Sequence, residues 1–236
     1  MHSIKAIFFD LDNTLVDCET ADRRIYEIVA ALAREKVLNI NTCQLINCFK
    51  EQLLKVPFDP DGQMNYYPWR ISLWEKALCE QGINHSKLAE QLNDLFHLDR
   101  MAFYQFLPGV KKMLTELLDH YIGVIITNGD SGIQRPKLKA CHAENYFDHI
   151  IVGGEEPFEK PHPSIFYKAC DLAKCSPEDA IIVGDSLNTD ILGGLNSGLA
   201  STIWVNPKNK KIPENGPFPN DQIVSALELP FIMKQF

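Results

Sequence analysis

Four apolar runs in this chain each end in groups able to do chemistry. The first, Ile4-Lys5-Ala6-Ile7-Phe8-Phe9, ends in Asp10 and Asp12, with Thr14 two places on. The others end in Thr127-Asn128, in Glu155 with Lys160 shortly after, and in Asp185 with Asp190. Two carboxylates at the end of a strand buried on both faces are costly to desolvate, and a metal ion or charged substrate is the usual compensation. The plain alternative is a strand that ends in an Asp-Asn turn. Thr127 and Asn128 bring a hydroxyl, an amide and backbone N–H groups suited to phosphoryl oxygens, while Asn128-Gly129 also reads as a turn or helix cap. Lys160 precedes Pro161, which biases it to extended backbone. Standing alone, such a lysine is ordinarily a solvated surface charge. Asp185 and Asp190 offer the oxygen ligands that magnesium takes.

The elements that must position these groups follow from periodicity. Residues 4–9 are rich in β-branched and aromatic types and read as a strand buried on both faces. Residues 17–105 carry helical patterns and no strong strand. Ala21 to Glu35 shows a stripe at Ile25, Ile28, Val29 and Leu32. Asn41 or Thr42 can cap a helix to about Val56, and Pro57, Pro60 and Gly62 break the pattern. Helices over about 68–81, ended by Gly82, and over about 86–101 complete the segment. From Leu107 onward helices alternate with strands. Helices are expected over 109–119, 131–145, 164–173 and 190–198, and strands over 122–128, 150–154, 180–185 and 202–205. Residues 207–220 read as loop, and 221–236 as a short strand or turn and a closing helix. This alternation implies α/β architecture: a Rossmann-like parallel sheet covered on both faces, formed by residues 1–16 and 106–236, with an inserted all-helical cap at 17–105. Chemistry in such a sheet is expected at the carboxyl ends of its strands, where the four polar groups fall.

At 236 residues, the chain is long enough for such a core plus a smaller insert. A net charge of −8 argues against a nucleic-acid surface, though single cations or a metal can still gather an anion. The seven cysteines are odd in number and scattered without a C-x-x-C, so reduced, mostly buried thiols in a cytoplasmic protein are expected. No signal peptide or membrane-spanning run is legible, and no membrane partner is expected.

The run F-F-D-L-D-N-T-L resembles the nucleophile motif of the haloacid dehalogenase-like (HAD) superfamily, most of whose members are magnesium-dependent phosphatases. T-N-G-D, K-P-H-P before a helix and G-D-x4-D resemble its remaining motifs, in the family's order and across nearly the whole chain. The resemblance implies Asp10 as nucleophile and Asp12 as acid/base. Dehalogenase members lack that acid, which speaks against a dehalogenase here. It implies Thr127, Asn128 and Lys160 as the phosphate-binding groups, with Lys160 also offsetting charge on the nucleophile. Asp10, the backbone carbonyl of Asp12, and Asp185 are implied as ligands of Mg2+, and Asp190 as a group orienting water or Lys160.

Within the superfamily, the core blocks are similar to a branch acting on a phosphorylated sugar acid, so a small-molecule phosphate ester is the implied partner. The cap is then a lid that excludes water and reads the leaving group. Arg70 and Arg100 fall in it, suited either to the sugar's carboxylate or to neighbouring acids on a helix surface. Tyr66, Tyr67, Trp69 and Trp74 read as cap core, or as platforms for a nucleobase, which keeps a pyrimidine 5′-nucleotidase open. A non-catalytic scaffold is disfavoured because Asp10, Asp12 and Asp185 are all present. A monomer or weak dimer is expected.

Overall fold

The first apolar run forms β1 (Ala6–Phe9), with every side chain buried. Alternation sends Ala6 and Phe8 to one face of the sheet, where they pack with Val124, Ile126, Ile182 and Phe166. Phe9, on the other face, meets Phe147 edge-on with ring centroids 5.6 Å apart. The computed structural model describes residues 3–56 and 65–236. The expected Pro/Gly break at 57–62 therefore lies outside the described residues.

The strands β2 (Ile122–Thr127), β3 (His149–Val152), β4 (Ala180–Gly184), β5 (Ser201–Val205) and β6 (Asp221–Ile223) join β1 in one sheet. Its order is β3-β2-β1-β4-β5-β6 and every pair is parallel. The α/β parallel-sheet expectation holds, and residues 221–223 supply a sixth strand. The chain steps outward from β1 through β2 to β3, then crosses to β4 and steps the other way. The crevice at that reversal lies between the carboxyl ends of β1 and β4.

The chain divides into two compact units, Met1–Cys18 with Tyr104–Phe236, and Glu19–Phe103. The sequence places the junctions at 16/17 and 105/106. The second unit is helical: α1 (Cys18–Lys36), which begins in the first unit, α2 (Thr42–Lys55), α3 (Tyr66–Cys79) and α4 (Ser86–Leu98). Asn41 caps α2, accepting from the Gln44 N–H at 3.0 Å. The buried face of α1 runs through Ile25, Tyr26, Val29 and Ala33, whereas Ile28 is 36% exposed. The i, i+4, i+8 line of Ile25, Val29 and Ala33 is straighter than the expected stripe. Trp74 lies flat on Phe49 with centroids 3.6 Å apart, and Trp69, Leu73 and Phe96 complete this core.

In the first unit, α5 (Val110–Leu118), α6 (Ser131–Ala140), α7 (Pro163–Ala173), α8 (Leu192–Asn196) and α9 (Leu229–Ile232) accompany the sheet. Three helices differ from expectation. α6 stops at Ala140 because His142 takes a left-handed φ of 57°. A π turn over Leu187–Ile191 replaces the start of the helix expected at 190–198. The closing helix is four residues between two 3-10 turns, with Pro230 in its first turn. All seven cysteines are free, but only Cys18, Cys141 and Cys170 are buried; Cys43 and Cys79 are exposed, against the mostly buried set expected.

Candidate active site

β1 delivers Asp10 to the crevice, and its N–H bonds the Val183 carbonyl of β4 at 2.9 Å. The chain then turns sharply over residues 11–16, with Asn13 at a φ of 61° and the Leu15 N–H returning to the Leu11 carbonyl at 3.0 Å. This turn brings the Thr14 hydroxyl to Asp10 Oδ2 at 3.1 Å. The loop before α7 lowers Lys160 into the same place, its side chain 1% exposed. Lys160 Nζ donates to Asp10 Oδ1 at 2.8 Å, Asp190 Oδ1 at 2.6 Å and the Ile126 carbonyl at 2.6 Å. An ammonium has three protons, and all three are used.

The π turn after β4 folds the Asp190 carboxylate back toward the end of that strand. Ser186 N–H donates to Asp190 Oδ2 at 3.0 Å, so both Asp190 oxygens are occupied. A Cβ on Gly184 would lie 2.3 Å from the Asp190 carboxyl carbon, and glycine there is what permits the approach. Asp185 is half-buried and fixed through its backbone, whose carbonyl accepts from the Trp204 ring N–H at 2.9 Å. Its carboxylate takes no hydrogen bond from the described residues.

Asp10, Asp185 and Asp190 each present a carboxylate oxygen within 4.8 Å of the others. Burial raises the Asp10 carboxyl to about 7, Lys160's charge pulling against it. Burial, then the charge of Asp190, raises Asp185 to about 6. Three carboxylates against one ammonium leave two negative charges uncompensated. An all-oxygen donor set with that surplus suits a hard divalent cation. Asp185 is the carboxylate with no hydrogen bond from the described residues, whereas Asp10 accepts from Lys160 and the Thr14 hydroxyl and Asp190 from Lys160 and the Ser186 N–H.

Asp12 stands apart from this cluster. Its Oδ2 accepts from Lys137 Nζ at 2.5 Å and Gln134 Nε2 at 3.2 Å, and its Oδ1 from the Cys18 thiol at 3.0 Å. Burial alone would raise the Asp12 carboxyl, but the Lys137 ammonium and these bonds hold it below its ordinary value. The same surroundings push the Cys18 thiol up, by burial first and then by Asp12.

Thr127 is buried at the end of β2, one residue after Ile126, whose carbonyl accepts from Lys160. The side chain of Asn128 does not point free amide atoms at a ligand: its Nδ2 donates to the Lys160 carbonyl at 2.8 Å and its Oδ1 accepts from the Lys160 N–H at 3.0 Å. Asn128 therefore clamps the loop that carries Lys160. Asp130 caps α6 through the Gly132 N–H at 2.9 Å. Glu155 forms a two-pronged surface pair with Arg135. In the helical unit, Arg70 is 4% exposed with its guanidinium 5.4 Å from the Tyr66 ring centre and 5.3 Å from that of Phe96. Arg100 pairs with Asp22 and lies 4.8 Å from the same Phe96 centre. Trp69 and Trp74 belong to the buried core of that unit; Tyr66 and Tyr67, half-buried, bond His97 and Asp94.

A sequence model of the haloacid dehalogenase-like hydrolases matches residues 4–198 of this chain. The chain belongs to that family. Among haloacid dehalogenase-like relatives, the N-acylneuraminate-9-phosphatase of Homo sapiens is 42% identical over 236 residues, covering 98% of this chain and 94% of its own. That of Mus musculus is 41% identical over 235 residues with the same coverage. The crystal structure of the HAD-hydrolase YfnB from Bacillus subtilis bound to magnesium superposes with a TM-score of 0.74 at 23% identity, covering 98% of this chain and 99% of that one, a likeness of fold. No helix among the described residues of this haloacid dehalogenase-like hydrolase is long and apolar enough to cross a membrane.

Sequence reasoning missed Gln134 and Lys137, which approach Asp12 from α6, and the clamping role of Asn128. The available signal was the i, i+3 spacing of Gln134 and Lys137 on the helix opened by T-N-G-D. That face looks polar, and only its placement against Asp12 distinguishes it from a solvated one.

Proposed function

We propose that this enzyme is a Mg2+-dependent phosphomonoesterase working through an aspartyl-phosphate, with N-acylneuraminate 9-phosphate as substrate. The identity of 42% over 98% of the chain to a phosphatase of that name carries the reading. Asp10 is the nucleophile. One of its oxygens forms a bond to phosphorus, the ester P–O bond breaks, and the leaving oxygen takes a proton from Asp12. Asp12 then accepts a proton from water as that water attacks phosphorus, and the Asp10–phosphorus bond breaks to release inorganic phosphate. The phosphate dianion arriving beside Asp12 raises that carboxyl's proton affinity, which supplies the acid for the first step. When bound through Asp10, the Asp12 backbone carbonyl and Asp185, Mg2+ would neutralise charge on the phosphoryl oxygens. Lys160, held by Asn128 and anchored to Asp190, keeps the Asp10 carboxylate oriented and offsets its charge. Thr127 and the backbone beyond it bind the phosphoryl oxygens.

The guanidinium groups of Arg70 and Arg100, both against Phe96, are assigned to the substrate's carboxylate. A panel of N-acylneuraminate 9-phosphate, pyrimidine nucleoside monophosphates and p-nitrophenyl phosphate, run with and without chelator, tests the reading. The sugar acid ester should have the highest kcat/KM, and chelator should abolish all turnover. Arg70→Ala should raise KM for the sugar ester by about tenfold or more and leave p-nitrophenyl phosphate nearly unchanged. Preference for a nucleotide, or turnover indifferent to chelator, would overturn it.

A further inference from the structure

The steps above make no use of Lys137 or Gln134, yet both are buried and both donate to the same oxygen of Asp12. Lys137's side chain is 7% exposed, so this is no solvated surface charge. A buried ammonium is retained at a cost unless a carboxylate meets it, and among the described residues its carboxylate partner is Asp12. Its other neighbour is the Tyr104 ring, 5.0 Å from the ammonium. Gln134 is fixed from both sides: Nε2 donates to the Asn128 carbonyl at 2.7 Å and to Asp12, while Oε1 is buried without a partner among the described residues. The two acceptors orient this amide, and its carbonyl gains nothing. Cys18 adds a third donor on the other Asp12 oxygen.

We propose that Lys137, assisted by Gln134, is a positioning residue that holds the Asp12 carboxyl in the one orientation its proton transfers need. Without them, a carboxylate two residues from Asp10 would be free to swing toward the Asp10, Asp185 and Asp190 cluster, where any cation draws it. The donors sit on α6, a helix capped by Asp130 and tied to the loop after β2 through the Asn128 carbonyl. Asp12 therefore takes its position from a regular element rather than from its own tight turn. This rests on the acid/base role proposed for Asp12.

The test compares an ester whose leaving group needs a proton with one that does not. An alkyl phosphate, β-glycerol phosphate, departs as an alkoxide and depends on the acid; p-nitrophenyl phosphate departs as a stable phenolate. In the full-length enzyme with Mg2+, Lys137→Met should lower kcat/KM for the alkyl ester by about a hundredfold, the loss that follows a misplacement of about 1 Å. The value for p-nitrophenyl phosphate should change little. Lys137→Arg should recover most of the alkyl rate, and Asp12→Asn should lose at least as much of it as Lys137→Met. Gln134→Met, which leaves the ammonium in place, gives a smaller selective loss and serves if Lys137→Met does not fold. An equal loss on both esters, no loss on the alkyl ester, or no recovery by arginine overturns the inference while the phosphatase reading stands. A parent enzyme that cleaves neither ester overturns that reading, and the inference with it.

Discussion

Lys160 neutralises only part of the charge around it. Its ammonium satisfies Asp10 and Asp190, while Asp185, within 4.8 Å of both, has no cation bonded to it among the described residues. The burial that raises Asp185 to about 6 and Asp10 to about 7 has a definite consequence for stability. A carboxyl whose pKa is higher folded than unfolded binds more protons in the native state over that interval, so stability falls as pH rises through the folded value. The chelated protein should therefore lose thermal stability between about pH 5 and pH 8. Added Mg2+ should restore several degrees, most at the upper end, because the cation takes the place of the displaced protons. Melting curves at three pH values, with and without Mg2+, check this, and Asp185→Asn should flatten both dependences. Asp10 and Asp185 stood out in the sequence because each follows an apolar strand, and Lys160 because K-P-H-P before a helix resembles a motif of the family. Lys137 did not, since one lysine on a polar helix resembles any solvated charge until its burial is known.

The π turn at Leu187–Ile191 is the element on which the site's geometry depends. It returns Asp190 to within reach of Lys160, and Gly184 is the residue that leaves it room. Gly184→Ala should displace Asp190, costing about 1–3 kcal/mol of stability and a larger fraction of activity than of substrate affinity. Urea unfolding and steady-state kinetics on the same preparation measure both. A variant matching the parent in kcat would detach the turn from function. The strands β1 to β5 were readable because continuous β-branched runs between turn residues have few other solutions. The π turn was not, because D-I-L-G-G-L-N keeps helical composition whichever carbonyl each N–H chooses. β6 is three residues long, too short for alternation to separate it from a turn.

Over the full chain, two units with separate hydrophobic cores carry two kinds of information. The α/β unit holds the polar groups that end its strands, and the helical unit buries two tryptophans and Arg70, with the partly buried Arg100, around Phe96 and Phe49. The division itself was visible as a change from helical periodicity to alternating strands and helices. The sequence left two uses open for Arg70 and Arg100, the sugar's carboxylate or neighbouring acids, because a guanidinium over an aromatic ring looks the same whether it serves packing or a ligand. The stereochemistry at phosphorus reports on the covalent step proposed at Asp10 without needing an intermediate to accumulate. Each in-line displacement inverts phosphorus, so two successive displacements return the starting configuration. A thiophosphate ester made chiral with oxygen isotopes, hydrolysed in isotopically labelled water, should give thiophosphate with overall retention. Inversion would mean direct attack by water and would contradict Asp10 as the nucleophile.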